Sequence, residues 1–213
     1  NDWPVSMLGY WNCISRLEIL MLLELTRSIH GAWRIARMDP DALTFFDLTI
    51  NGFWRSFMAI IVVAPFYVGF LILSFSHQPR LQLVDGPQTA IEWYLVVKLV
   101  TFAASWVIFP LVMVPISRLL DLTQTYVPYI IVWNWANVLE MAVILPAVML
   151  FLSSTLPGQT GAIVLMVAHI TMLFYGYLVA RAGLQCKLVT GVGVVAFNFV
   201  LSLLFNGLAS QML

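Results

Sequence analysis

Five stretches of this sequence, Phe57–Ser76, Tyr94–Ile116, Tyr129–Leu152, Ala162–Val179 and Leu188–Leu208, stay apolar for about the length a helix needs to cross a hydrocarbon layer. That layer is roughly 30 Å thick and takes about 20 helical residues. Lipid offers the backbone no hydrogen-bond partner, and none of the runs alternates with period two as a barrel strand does, so each is predicted to be a helix. Composition agrees, with 62% of the 213 residues hydrophobic and 9% charged, against roughly 25% charged in a water-soluble domain. The expected fold is therefore all-α, a polytopic helical bundle of five transmembrane helices. Pro65, Pro110, Pro115 and Pro146 fall inside the runs and are expected to kink the helices rather than end them, because neighbouring helices can satisfy the freed carbonyls.

The connections are short and rich in turn residues, such as Pro79, Asp85-Gly86 and Pro87, then Pro157-Gly158. The chain divides into residues 1–52 on the N-terminal side and a transmembrane domain over 53–213. Arg16, Arg27, Arg34, Arg37, Arg55, Arg118, Arg181 and Lys187 fall on the side of the N-terminus, and Arg80 alone on the other. Eight against one predicts a cytoplasmic N-terminus and an outer C-terminus, as in a multi-pass protein of the bacterial inner membrane.

Before the first span, Ile14 to Arg37 has helical periodicity. At 100° per residue Arg16, Arg27, His30, Arg34 and Arg37 share one stripe opposite an apolar face with Leu17, Met21, Leu25, Ile29 and Ile35. Such a helix suits the surface of an anionic leaflet, or a place against the ends of the other helices or a partner subunit. It is expected to stop at Met38, because Asp39-Pro40-Asp41 combines an N-cap, a first-turn proline and an acid for a short second helix. Asn51-Gly52 should then break the chain ahead of the first span.

Inside the spans a polar side chain is a functional candidate, since an unpaired ionisable group there costs several kcal/mol. Glu140 lies near the middle of the third span, His169 of the fourth and Asn198 of the fifth, with Asn134 and Asn137 on the stripe of Glu140. Lys98 in the second span lies about 10 Å further outward by helical rise, a gap that a lysine stem can narrow. One reading is a proton or ion relay among Glu140, His169 and Lys98. The other is polar glue between helices, worth about 0.6–2 kcal/mol per hydrogen bond. If the groups converge, Glu140→Leu should leave Lys98 or His169 unpaired and destabilise the fold. Trp93, Tyr94, Tyr126 and Tyr129, near span ends, fit an aromatic belt, while Trp133 and Trp135 sit deeper.

Other chemistry has little to stand on. Lys and Arg balance Asp and Glu at ten each, so there is no basic field for nucleic acid. Cys13 and Cys186 form no C-x-x-C pair, and neither a metal nor another cofactor is expected. No catalytic or nucleotide fingerprint and no signal peptide is found, so a non-enzymatic scaffold or accessory subunit of a membrane complex is the first functional expectation. The small proton- or ion-coupled transporter built on Glu140, His169 and Lys98 is the second. The partners would be the bilayer and other membrane subunits, or a second copy of the chain.

The stretch Ser28–Phe57, with Gly31-Ala32-Trp33-Arg34, Met38-Asp39-Pro40, Phe45-Phe46-Asp47 and Gly52-Phe53-Trp54-Arg55-Ser56-Phe57, resembles the opening of uncharacterised inner-membrane proteins of alphaproteobacterial type. That resemblance implies a start close to Met21. The cytoplasmic N-terminus with five spans is also similar to the Yip1-type architecture, which implies a role with scaffolding or trafficking partners. Neither resemblance brings a catalytic residue with it.

Overall fold

The computed structural model describes residues 22–77, 87–152, 156 and 158–213. Arg16, Arg80, Cys13 and the start of the expected amphipathic helix lie outside the described residues. All regular structure among those described is helical: α1 (22–36), a single 3-10 turn at Ala42–Phe45, α2 (Ile50–Ser56), α3 (Ala59–Ser76), α4 (Pro87–Leu119), α5 (Thr123–Leu152), α6 (Gly158–Leu184) and α7 (Leu188–Gln211). Five segments, Ile50–Ser76, Ile91–Leu119 and the whole of α5, α6 and α7, are long and apolar enough to cross a membrane. The chain is a multi-pass integral membrane protein.

Helices α4 to α7 outrun the apolar stretches that announced them, α4 by seven residues at its start and three at its end. Apolarity marks the hydrocarbon depth alone, while the helices continue through the headgroup layers. Pro65, Pro110, Pro115 and Pro146 all lie within helices, as expected.

The N-terminal side differs in two respects. Asn51-Gly52 does not break the chain but sits within α2, because Thr49 caps it, its Oγ1 accepting from Gly52 N at 3.1 Å. Glycine is needed there for another reason: a side chain would run into the Asp47 carbonyl. The break comes instead at Phe57–Met58, between α2 and α3. The short helix after Pro40 is the single 3-10 turn, with Asp39 Oδ1 accepting from Asp41 N at 2.9 Å.

Helix α5 is the hub, packing against α2, α3, α4 and α6, while α7 closes the ring against α4 and α6. The closest approach is at Gly183 of α6, where a Cβ would lie 2.7 Å from the Tyr129 Cα on α5. Gly191 similarly admits Tyr177 and Arg181 where α6 meets α7. Small residues serve this purpose in membranes, where lipid tails are as apolar as leucine and contact area, not water expulsion, joins helices. Tyr94 and Tyr129 are each 2% exposed, so they belong to the core and not to an aromatic belt. Trp93 remains exposed and donates from Nε1 to Met212 O at 2.8 Å.

The apolar face of α1 packs on the bundle: Ala32 and Ile35 are buried, and Tyr175 of α6 donates its hydroxyl to Ala32 O at 3.0 Å. Helix α1 ends in a Schellman motif, Met38 N bonding to Ile35 O and Asp39 N to Arg34 O, with Met38 at φ 57°. Asp121 at φ 56° ends α4 in the same way, with Leu122 N bonding to Ser117 O.

Left-handed backbone costs a side-chain-bearing residue about 1 kcal/mol or more, and Met38 is 64% exposed, with little packing to lose. Met38→Gly is therefore expected to stabilise the protein by about 1 kcal/mol, whereas Gly183→Ala should destabilise it by about 1–3 kcal/mol through overpacking against backbone. Thermal melts in a mild detergent separate the two.

Candidate functional site

The polar residues of the spans divide between two places. Asn137, Glu140, His169 and Asn198 line one cavity of about 300 Å³ enclosed by α4, α5, α6 and α7. Asn134 and Lys98 do not. Asn134 is fully buried on another face of α5, where its Nδ2 donates to Ser56 Oγ of α2 at 2.7 Å and its Oδ1 has no partner. Lys98 is half-buried and forms no ion pair with Glu140. It shares the stripe of Ser105, which does line the cavity, but sits seven residues away, about 10 Å along the helix, and its stem does not close that gap.

The shared depth follows from helix register. Gly183 against Tyr129 sets α6 antiparallel to α5, which brings the level of Glu140 to that of Met172. Gly176 against Val195 and Gly191 against Tyr177 set α7 on α6, bringing His169 level with Ser202. Two further lining residues, Ser105 and Ser202, were not singled out from the sequence. Asn198 and Ser202, four apart, share one face of α7, a spacing that was legible; Ser105 had no such companion.

Within the cavity four polar side chains bond their own helix. Asn137 Nδ2 donates to Trp133 O at 2.9 Å, His169 Nδ1 lies 2.8 Å from Leu165 O, and Ser105 and Ser202 donate to carbonyls one turn back at 2.7 Å. Glu140 has no hydrogen-bond or ion-pair partner among the described residues. The surrounding wall is aromatic, with Trp106 against Trp133, Trp133 against Phe109 and Phe109 against Tyr129, Phe109 and Trp133 at 4.5 Å between centroids. Glu140, Asn137, Trp106 and Ile144 also line a second space of about 220 Å³, shared with Val63 of α3 and Phe102 of α4. The carboxylate thus stands in the partition between two cavities. Among the described residues no three His, Cys, Asp or Glu side chains come together as a metal site would require.

Part of the basic stripe of α1 meets the turn that follows it. Arg34 pairs with Asp39, its Nε 2.6 Å from Oδ2, and lies 4.8 Å over the Phe45 ring. Arg27 donates to Thr44 O at 2.7 Å, and His30 meets Phe45 edge-on at 5.0 Å. Arg37 is exposed. Arg55 joins Asp47 and Glu24. The backbone N–H of Asp41 and the Arg34 guanidinium hold the Asp39 carboxyl below its usual range, and the Thr49 hydroxyl and Arg55 do the same for Asp47. Burial pushes Glu24 up against the pull of Arg55.

Because Glu140 has no partner, the cost expected from Glu140→Leu does not arise: nothing is left unpaired, and an ionisable group leaves the membrane interior. Glu140→Leu is expected to stabilise the fold by about 1 kcal/mol. Ser56→Ala should do the reverse, costing about 1–2 kcal/mol, because it strips the fully buried Asn134 amide of its hydrogen bond. Melting temperatures of both variants in nanodiscs check the pair.

Comparison of the chain with protein-family models, with curated proteins and with solved structures finds no match, so the chemistry of this cavity rests on the residues that line it.

Proposed function

We propose that this protein is a small proton-coupled carrier in which Glu140 is the exchanging group. The observation that supports this reading is an unpartnered carboxylate at mid-depth, in the partition between two cavities. Asn134, by contrast, donates its Nδ2 to Ser56 Oγ and so joins α5 to α2. A carboxylate left without a partner is costly, and the cost is retained where proton or ligand binding requires it. His169, exposed and on the wall of the larger cavity, stands where a proton can pass between Glu140 and the cavity mouth. Asn137 and Asn198 place amide groups on the wall of the same cavity. Lys98 has no part in this version of the relay.

The scaffold or accessory reading keeps one specific support. Leu22 and Leu23 at the start of α1 are 62% and 59% exposed, close to the basic residues, which suits a partner subunit, a second copy or the anionic leaflet. A stable companion subunit in native purification would favour it. The orientation that goes with either reading has the α1 side in the cytoplasm of a bacterial cell and the C-terminus outside, on the strength of the basic residues at α1, α2, the end of α4 and the α6–α7 junction. A reporter active only in the cytoplasm, fused after Leu213, should be silent. Activity there would reverse the assignment.

For the carrier itself, proteoliposomes are given a pH gradient, with and without a small-molecule cell extract in the lumen. Wild type should collapse the gradient faster than empty vesicles in at least one condition, and Glu140→Gln, which melts normally, should not. Equal collapse by Glu140→Gln, or none by wild type in either condition, removes the carrier reading.

A further inference from the structure

The larger cavity is selective by its chemistry. Its lining has one carboxylate, Glu140, and no lysine or arginine. An anion would meet only like charge there. A bare metal cation fares little better, since a hard cation is held by several charged or carbonyl oxygens at once, whereas Glu140 is the one carboxylate of this lining and no three His, Cys, Asp or Glu side chains come together among the described residues. What the wall does offer is aromatic: Trp106, Phe109, Tyr129 and Trp133 line the same cavity as Glu140, on the α4 and α5 side. Aromatic faces attract an organic ammonium by cation–π interaction, and most strongly where water is excluded.

Size and access narrow the class further. A cavity of about 300 Å³ lies at the small end of ligand sites. Helices α6 and α7 are closest near Gly176 and Gly191, whereas His169, Leu173, Phe199 and Ser202 line the cavity and are exposed. The wall therefore opens sideways between α6 and α7, at a depth where a membrane protein faces lipid.

We infer that the ligand is a small organic cation, an ammonium on an aromatic or aliphatic body, which enters between α6 and α7 and displaces a proton from Glu140. This rests on the carrier reading and adds the substrate class. The step balances without a co-reactant: the protonated carboxyl releases H⁺ to water through the cavity, the ammonium takes its place beside the carboxylate, and the net charge of the site is unchanged. The titratable groups that face Glu140 are Tyr129 on α5 and Tyr175 and His169 on α6. Helices α3, α4 and α7 contribute no titratable residue to either cavity.

The test uses the full chain in lipid nanodiscs, titrated calorimetrically with benzyltrimethylammonium and, separately, with benzenesulfonate, in buffers of different protonation enthalpy. The cation should bind with release of one proton per site and bind more weakly as pH falls; the sulfonate should not bind. Glu140→Gln should lose proton release and weaken binding at least about tenfold, and Trp133→Leu should weaken it about tenfold while keeping proton release. Thermal melts confirm that both variants fold. No cation binding by wild type, equal binding of the sulfonate, or binding unaffected by Glu140→Gln would overturn the inference. If Glu140→Gln abolishes proton flux in vesicles while benzyltrimethylammonium fails to bind wild type, the carrier reading stands and the substrate class falls. If flux survives Glu140→Gln, the carrier reading falls as well.

Discussion

Gly183 pressed on the Tyr129 backbone is the contact that the arrangement of this bundle depends on. Helices in lipid gain nothing from expelling water between them, so close packing decides which surfaces meet. The glycine lets α5 and α6 lie together along most of their length, with α3 and α4 also on α5. Helix α7, which packs chiefly on α4 and α6, completes the ring without filling it. The space left inside is the cavity at Glu140. The site is thus a by-product of where small residues allow contact and where bulky ones, Trp106 and Trp133 above all, prevent it.

The fold was largely legible in hydropathy. Five apolar runs became five helices in the expected order, because a bilayer admits no other regular structure for such runs. What hydropathy missed was local. Asn51-Gly52 reads as a turn, yet Thr49 supplies a cap and the glycine supplies room over Asp47, and both belong to a helix. The stripe of Arg27, His30, Arg34 and Arg37 reads as one basic face, and the turn that follows meets part of it, at Arg27, His30 and Arg34, while Arg37 stays exposed. Periodicity shows that a helix has a charged face and is silent on what meets it.

The site was legible in depth and illegible in direction. Counting residues from the span ends placed Glu140, His169 and Asn198 at one level, and the structure sets all three on one cavity. Asn134 lies six residues before Glu140, about 9 Å along the same helix, and turns to Ser56 of α2, a choice made by helix packing that no single-helix count contains. Lys98 failed on distance, since a side chain cannot make up two turns of helix. Ser105 and the aromatic wall were missed because serine and tryptophan are ordinary in such helices, and only the four walls together make them a lining.

Two polar groups of one helix thus serve opposite ends: Asn134 donates to Ser56 and holds α2 to α5, while Glu140 is held open at a cost to stability. The distinction is decided most directly by infrared spectroscopy of the protein in bilayers, following the carboxyl C=O band that Glu140→Gln removes. An exchangeable group predicts that this band appears and disappears reversibly with bulk pH while the protein stays folded, and that exchange into D₂O shifts it promptly. A band that neither titrates nor shifts over the pH range of the folded state would mean a sealed, permanently protonated carboxyl, and would contradict the account.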